Sequence, residues 1–379
     1  MTPTRVIGAG LSGLATAWRL VDTGARVEVF DSAPNPGGLI GTTLTPWGRA
    51  EHAANAFVWT DHVEDWFRRL DIPPVFALDS SRRRYIYRNG RPRRWPLTPL
   101  ETLGAVTRVA TALATRRMGA KDDESVEQWG QRVAGHAATR HVLAPALQGI
   151  YAAPLDRLAA RAVFGHRKQR KVRMAAPAGG MGEFTTRLRT VLDQRGVRFH
   201  FGRPVTILDP DVPTWICTNA PTAARLLQPH APEAAALVAR VELAALAGVT
   251  AFFPPHADDL HGFGVLFPRD AGIRALGVLF NTDIFPGRGP YRSETWIYGG
   301  ATPGALPPEA DLPALLRADR QTLTGRSEDP LGIHSAYWPA AFPIYDHAIV
   351  ALADIHRHLP PWLHVAGNYL GKRGVSDLI

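Results

Sequence analysis

Cysteine is almost missing: Cys217 stands alone among 379 residues. That excludes a disulfide framework and a cysteine-built metal site, and it favours a reducing compartment. Long apolar runs are missing as well, since no stretch reaches the roughly 18–20 residues that carry a helix across a bilayer. No charged-then-apolar leader precedes the first glycine turn, which implies a cytoplasmic protein. Low-complexity tracts and internal repeats are absent. Acidic residues are in deficit, 34 against 43 basic ones, for a formal net charge of +9. The excess gathers at Arg82–Arg84, Arg91–Arg94, Arg116–Lys121 and Arg167–Arg173. Such clusters suit a polyanion, an anionic membrane surface or a polycarboxylate ligand, or else form solvated faces. No helix-turn-helix or zinc-finger spacing accompanies them, so nucleic acid is not expected.

What is present reads as α/β. With 45% hydrophobic and 20% charged residues, the chain suits two or three lobes. Thr4–Ile7 reads as a strand, Gly8–Gly13 as a glycine turn, Leu11–Val21 as a helix and Arg26–Phe30 as a second strand closed by Asp31. A helix is expected over Asp61–Leu70. A hairpin is expected around Asn89-Gly90, a strong two-residue turn. From Leu100 to Ala162 apolar residues recur at helical spacing, among them Leu103, Val106, Val109, Ala110 and Leu113. A helix after Gly179–Gly182, strands at Val197–Phe201 and Pro204–Leu208, a second sheet over Ala244–Gly300 and a strand at Leu363–Ala366 follow. Elements returning to one unit from three stretches imply a discontinuous domain with two insertions.

Gly8, Gly10 and Gly13 fit G-x-G-x-x-G between a strand and a helix. The first glycine permits the turn, the second admits a pyrophosphate, and the third lets helix and strand pack closely. The amides of Leu11 and Ser12 at the helix start then face the phosphates. Asp31 is placed to accept ribose hydroxyls. The paired Gly37-Gly38 just beyond this acid resembles the FAD-dependent amine-oxidase-like superfamily, where a second loop closes over the pyrophosphate, and that resemblance implies FAD rather than NAD. Asp354, His356 and His358 form D-x-H-x-H, but on a helix His356 and His358 would diverge, so no metal is expected. Cys217 reads as a buried small hydrophobe.

Several further motifs, in order, resemble those of protoporphyrinogen/coproporphyrinogen oxidases. They include Arg84–Gly90, Glu124–Val126, Gly149–Ala152, Leu158–Ala162, Gly179–Met181, Gly262–Pro268, Phe285–Arg288, Gly299–Ala301 and Ala366–Asp377. The resemblance spans nearly the whole chain. It implies a Rossmann-like FAD-binding domain over 1–78, 173–227 and 341–379. An inserted mixed α/β substrate domain would occupy 79–98 and 228–340, and an all-helical lobe 99–172. It also implies oxidation of a porphyrinogen, with hydride passing to the flavin and electrons to O2. Peripheral membrane contact of the helical lobe and a homodimer come with it. Arg84 would grip a propionate, with Arg82, Arg83 and Arg88 nearby, while Asn55, Leu266 and Ile297 would line the pocket. Leu39, Val205, Gly367, Val375 and Ser376 would join the cofactor contacts. The alternative is a related flavin oxidase or desaturase acting on another flat or conjugated substrate. Two departures stand out: Glu51-His-Ala-Ala-Asn55 replaces the family's Glu-x-Gly-Pro-Asn, and Ile297 stands where an aromatic is common.

Overall fold

The first sheet is built from strands of three or four residues. The structure, a computed structural model, describes residues 2–165, 173–372 and 374–379. Five strands pair in parallel, in the spatial order Arg198–His200, Val27–Phe30, Thr4–Ile7, Thr214–Ile216 and Leu363–Val365. The lateral order switches beside Thr4–Ile7, and the carboxyl ends of Thr4–Ile7 and Thr214–Ile216 open the crevice where such sheets bind ligands. Helix Leu11–Asp22 buries Leu11, Leu14, Ala15 and Trp18. Helix Met181–Gln194 buries Met181, Phe184, Leu188 and Leu192. The Phe184 ring centroid lies 4.7 Å from Phe57, 5.6 Å from Phe67 and 6.4 Å from Trp66.

A second, mixed sheet has seven strands in the order Gly332–Pro343, Leu243–Phe253, Arg292–Gly300, Gly277–Phe280, Gly264–Leu266, Arg84–Arg88 and Arg91–Arg93. Its last two strands form the expected hairpin. Asn89 and Gly90 both have positive φ, 54° and 73°, as the two central residues of a type I′ turn require. Side chains alternate between the faces. Ala247, Val249, Phe253, Val265, Val278, Trp296 and Tyr298 form one apolar face with Leu312 and Leu316, from helix Leu312–Thr324. The opposite face carries a register row of Ala336, Gly248, Ile297, Gly277, Leu266 and Ile86. Beside it runs a second row, His334, Thr250, Thr295, Leu279, Gly264 and Arg84. This face looks toward the parallel sheet and the helices of residues 99–164. Leu279 packs against the same core as Phe184, and a Cβ on Gly149 would stand 2.6 Å from Leu266 Cδ2.

Helix Pro99–Ala114 begins with a capping box. The Thr98 hydroxyl accepts from the Glu101 amide, and Glu101 accepts from the Thr98 amide. Its apolar stripe does not enter a core. Only Ala112 is buried, while Leu100, Leu103, Val106 and Leu113 are 82, 64, 59 and 60% exposed. Helical periodicity announces a stripe but not what covers it. A correction concerns Pro204–Leu208, expected as a strand, which forms none. Pro204 has no amide to donate, Ile207 is fully turned to solvent, and the Gly202 and Arg203 amides donate to the Ala33 and Asp31 carbonyls. Most of the Arg167–Arg173 run lies outside the described residues; Arg173 itself stacks over Phe76.

Phe184→Ala would empty the centre of the aromatic cluster. It is expected to destabilise the protein by about 3–5 kcal/mol, read as a lower urea midpoint at unchanged m value.

Candidate functional site

The crevice begins at Gly8, whose φ of +103° favours glycine and whose Cβ would stand 2.6 Å from the Cys217 carbonyl oxygen. A Cβ on Gly13 would overlap the Gly8 carbonyl, so the helix can lie this close to the strand only without one. Gly10 differs. Its φ of −68° suits any residue, and a Cβ would meet nothing nearer than the Gly38 Cα at 3.9 Å. Neither conformation nor packing demands glycine there, so the space beside Gly38 is open. Gly10 caps helix Leu11–Asp22 without a side-chain hydrogen bond, so the first-turn amides of Leu11, Ser12 and Gly13 remain to be matched by an anion. Gly37 closes the far wall: its amide donates to Ala9 O at 2.9 Å, and Gly10 and Gly37 form a parallel bridge.

Asp31 ends strand Val27–Phe30 with its carboxylate turned into the cradle. It accepts from the Ala9 amide at 2.6 Å and the Ala33 amide at 2.7 Å. Each oxygen keeps a further lone pair, as acceptance from ribose hydroxyls would need. Val205 follows the Gly202–Arg203 segment that is bonded to the Asp31–Ala33 backbone. Leu39 is half-buried just beyond Gly38. Gly367 is buried just after strand Leu363–Val365, beside the crevice. Val375 and Ser376 open the final helix Val375–Leu378. The Ser376 hydroxyl is engaged with the Val58 backbone at 2.8 and 3.2 Å, leaving its main chain for other contacts. These groups fit a dinucleotide: small residues and a helix start that would suit phosphates, and an acid with lone pairs left for a ribose.

Arg84 ends the row that runs through Gly264, on the sheet face turned to the parallel unit. Its guanidinium sits 4.5 Å over the Phe263 ring, and among the described residues no carboxylate pairs with it. Two of its neighbours are otherwise engaged: Arg82 pairs with Asp79 at 2.9 Å, and Arg88 grips Glu101 bidentately at 2.8 and 2.9 Å. Arg88 holds the Glu101 carboxyl down to about 2. Leu266 presses on Gly149 and Gly277, and Ile297 packs partly against the core around Tyr151 and Leu276.

Asn55 lies on the loop after strand Gly48–Glu51, its carbonyl accepting from Arg288 at 3.2 Å. The same guanidinium bonds the buried Glu51 carboxylate. Glu51 also accepts from Thr42 Oγ1 at 2.6 Å and from the Met181 amide at 3.2 and 3.1 Å. Sequence reading quotes Glu51 and Arg288 in separate motifs. Nothing local signals that they pair.

Cys217 is buried with Sγ 3.7 Å from Thr16 Oγ1. Burial pushes its thiol up to about 12, so it is no nucleophile at neutral pH. His356 and His358 lie on the short turn Ile355–His358, where His358 meets Glu233 at 2.9 Å.

The family model described as "Flavin containing amine oxidoreductase" matches residues 11–374. The chloroplastic protoporphyrinogen oxidase of Oryza sativa subsp. japonica is 23% identical over 96% of this chain and 84% of its own length. The coproporphyrinogen III oxidase of Propionibacterium freudenreichii subsp. freudenreichii is 24% identical over 99% of this chain and 88% of its own. A solved chain from an Exiguobacterium species superposes with TM-score 0.85 at 16% identity, covering all of this chain and 96% of that one.

Gly10→Val is expected to leave folding within about 1 kcal/mol, the cost of a poor helix cap, while the protein purifies without FAD. Gly13→Ala is expected to lose FAD and thermal stability together. Flavin absorbance and thermal unfolding of the two variants separate a ligand space from a packing space.

Proposed function

The chain belongs to the flavin containing amine oxidoreductase family and is an FAD-dependent oxidoreductase, and from that premise we propose that it oxidises a porphyrinogen to the porphyrin. The substrate would be protoporphyrinogen IX or coproporphyrinogen III, with dioxygen as final acceptor. The observation that carries this reading is the sheet face opposite the cradle, where a row of small and apolar residues runs beside an unpaired guanidinium. Gly248, Ile297, Gly277 and Leu266 offer a floor for a flat apolar body. Arg84 offers two parallel donors to a carboxylate at its edge. Both oxidases named above act, by their names, on porphyrinogens of this kind.

When bound, FAD supplies the hydride acceptor, so the side chains have binding and orientation to perform rather than acid–base chemistry. Asp31 would accept from the ribose, the amides of Leu11–Gly13 would meet the pyrophosphate, and Leu39 would flank it. Backbone groups of Val205 would meet the adenine, and those of Gly367, Val375 and Ser376 the ring system. Asn55 and Leu266 would close the slot around the substrate. With Arg82 and Arg88 already paired, Arg84 is the cation of its hairpin that this reading assigns to a propionate.

The exposed stripe of helix Pro99–Ala114 supports a peripheral membrane contact. Leu100, Leu103, Val106 and Leu113 are exposed along this helix, and Arg116 and Arg117 just beyond its C-terminal end are exposed as well, the pairing an anionic bilayer surface attracts. Among the described residues no helix is long and apolar enough to cross a membrane. Leu103→Asp with Val106→Asp is expected to abolish sedimentation with anionic vesicles and leave flavin content unchanged.

Anaerobic mixing of the FAD-loaded protein with each porphyrinogen tests the reaction. Bleaching of the flavin band with appearance of porphyrin is the expected result. A flavin reducible by dithionite but by neither porphyrinogen would favour the related oxidase or desaturase, the reading that the altered Glu51–Asn55 loop supports. Arg84→Ala is expected to raise KM on the order of tenfold, the worth of one charge-assisted contact, with little change in kcat.

A further inference from the structure

Two imidazoles join parts of the chain that are far apart in sequence. His52 follows strand Gly48–Glu51, and His334 stands in strand Gly332–Pro343 opposite Thr250. Their rings stack with centroids 5.5 Å apart and planes 26° from parallel. His52 is closely fitted on its other sides. Its Nε2 lies 2.8 Å from Thr43 Oγ1, and a Cβ on Gly41 would collide with Nδ1. Its amide donates to Gly41 O at 2.9 Å, and its carbonyl accepts from Trp338 Nε1 at 3.1 Å. Gly41 lies four residues beyond Gly37 of the cradle, so the stack fastens the cradle's wall to the edge of the mixed sheet.

Both rings are half-buried, and burial holds both imidazoles below the usual 6.5. The positive charge of a protonated His52 pushes His334 in the same direction, whereas Glu51 opposes the shift at His52. Glu51 is the charged group beside His52 on its own strand, and Arg288 already matches it. On the sheet side Thr250, Thr295 and Trp338 carry no charge. Two protonated rings at this separation would repel each other.

We propose that His52 and His334 are positioning residues that clamp the Glu51–Asn55 loop on the mixed sheet when neutral and release it when protonated, making FAD retention pH-dependent. The proposal rests on the flavin cofactor and not on the identity of the substrate. The closed form disfavours protons relative to the open one. Affinity is therefore full above about pH 6.5 and falls as the pH drops below it, by up to about tenfold per pH unit for each proton taken up.

The test is the FAD dissociation constant of the full chain, followed by flavin fluorescence from pH 8 to pH 5. Wild type is expected to weaken below pH 6.5. His334→Phe, which keeps a stacked ring without a titrating group, is expected to weaken about tenfold less by pH 5. Superimposable profiles would overturn the proposal. A second measurement needs no variant: NMR titration of the wild-type holoenzyme, following two imidazoles that show a mutual NOE. Titration below 6.5 that moves upward on removing FAD supports the clamp. Titration at or above 6.5, or indifference to FAD, overturns it.

Discussion

One buried carboxylate ties the cradle side of the chain to the Phe285–Arg288 segment of the mixed-sheet unit. Glu51 and Arg288 are 2 and 5% exposed at their side chains, and two charges so far from water persist only when every lone pair and proton is matched. Here they are. Glu51 takes the Arg288 guanidinium, the Thr42 hydroxyl and the first amide of helix Met181–Gln194, whose dipole favours an anion at that end. Arg288 gives its remaining reach to the Asn55 carbonyl, while its own carbonyl accepts from the Arg49 amide. Leaving either charge alone would cost about 3–5 kcal/mol. Three segments widely separated in sequence are thereby fixed at one point, and the His52–Asn55 loop leaves it in a set direction.

A second charged contact does for the helical insertion what Glu51 does for the cradle. Arg88 and Glu101 join the hairpin Arg84–Arg93 to the first turn of helix Pro99–Ala114. Because Glu101 also completes the capping box at Thr98, one carboxylate starts the helix and docks it. This contact decides the chemistry of the neighbouring surface. Arg88 is withdrawn from any ligand, and Arg84, four residues earlier on the same strand, is left with an aromatic ring beneath it and no anion.

Local features were legible in the sequence and distant pairings were not. Glycines 8, 10 and 13 with Asp31 announce the cradle because strand, turn, helix and acid are contiguous and each residue type has one physical reason to be there. Asn89-Gly90 announces its hairpin for the same reason. Pro204–Leu208 misleads because apolar residues near a proline imitate a strand while offering the sheet no full ladder. The stripe of helix Pro99–Ala114 is correct as a period, but its exposure could not be read from it, since spacing names a face and not its neighbour. Glu51–Arg288 and His52–His334 lie 237 and 282 positions apart, and a pattern read over a dozen residues has no access to either.

The two faces of the mixed sheet show where conformational cost was accepted. One face is filled by Phe253, Trp296 and Tyr298 against helix Leu312–Thr324, an ordinary core. The other keeps Gly248 in the middle of an eleven-residue strand, where glycine costs roughly 0.5–1 kcal/mol relative to alanine. Its φ is not positive, and an added Cβ would meet nothing nearer than the His52 carbonyl and Thr295 Cγ2, each at 3.9 Å. Backbone geometry therefore does not require the glycine, and packing would admit an alanine but not a branched side chain. What such a side chain would strike is the loop whose position the Glu51–Arg288 pair and the histidine stack together maintain. The clearance at Gly248 and the anchoring of that loop are one constraint: the space over the sheet is useful only while the loop that borders it stays where it is.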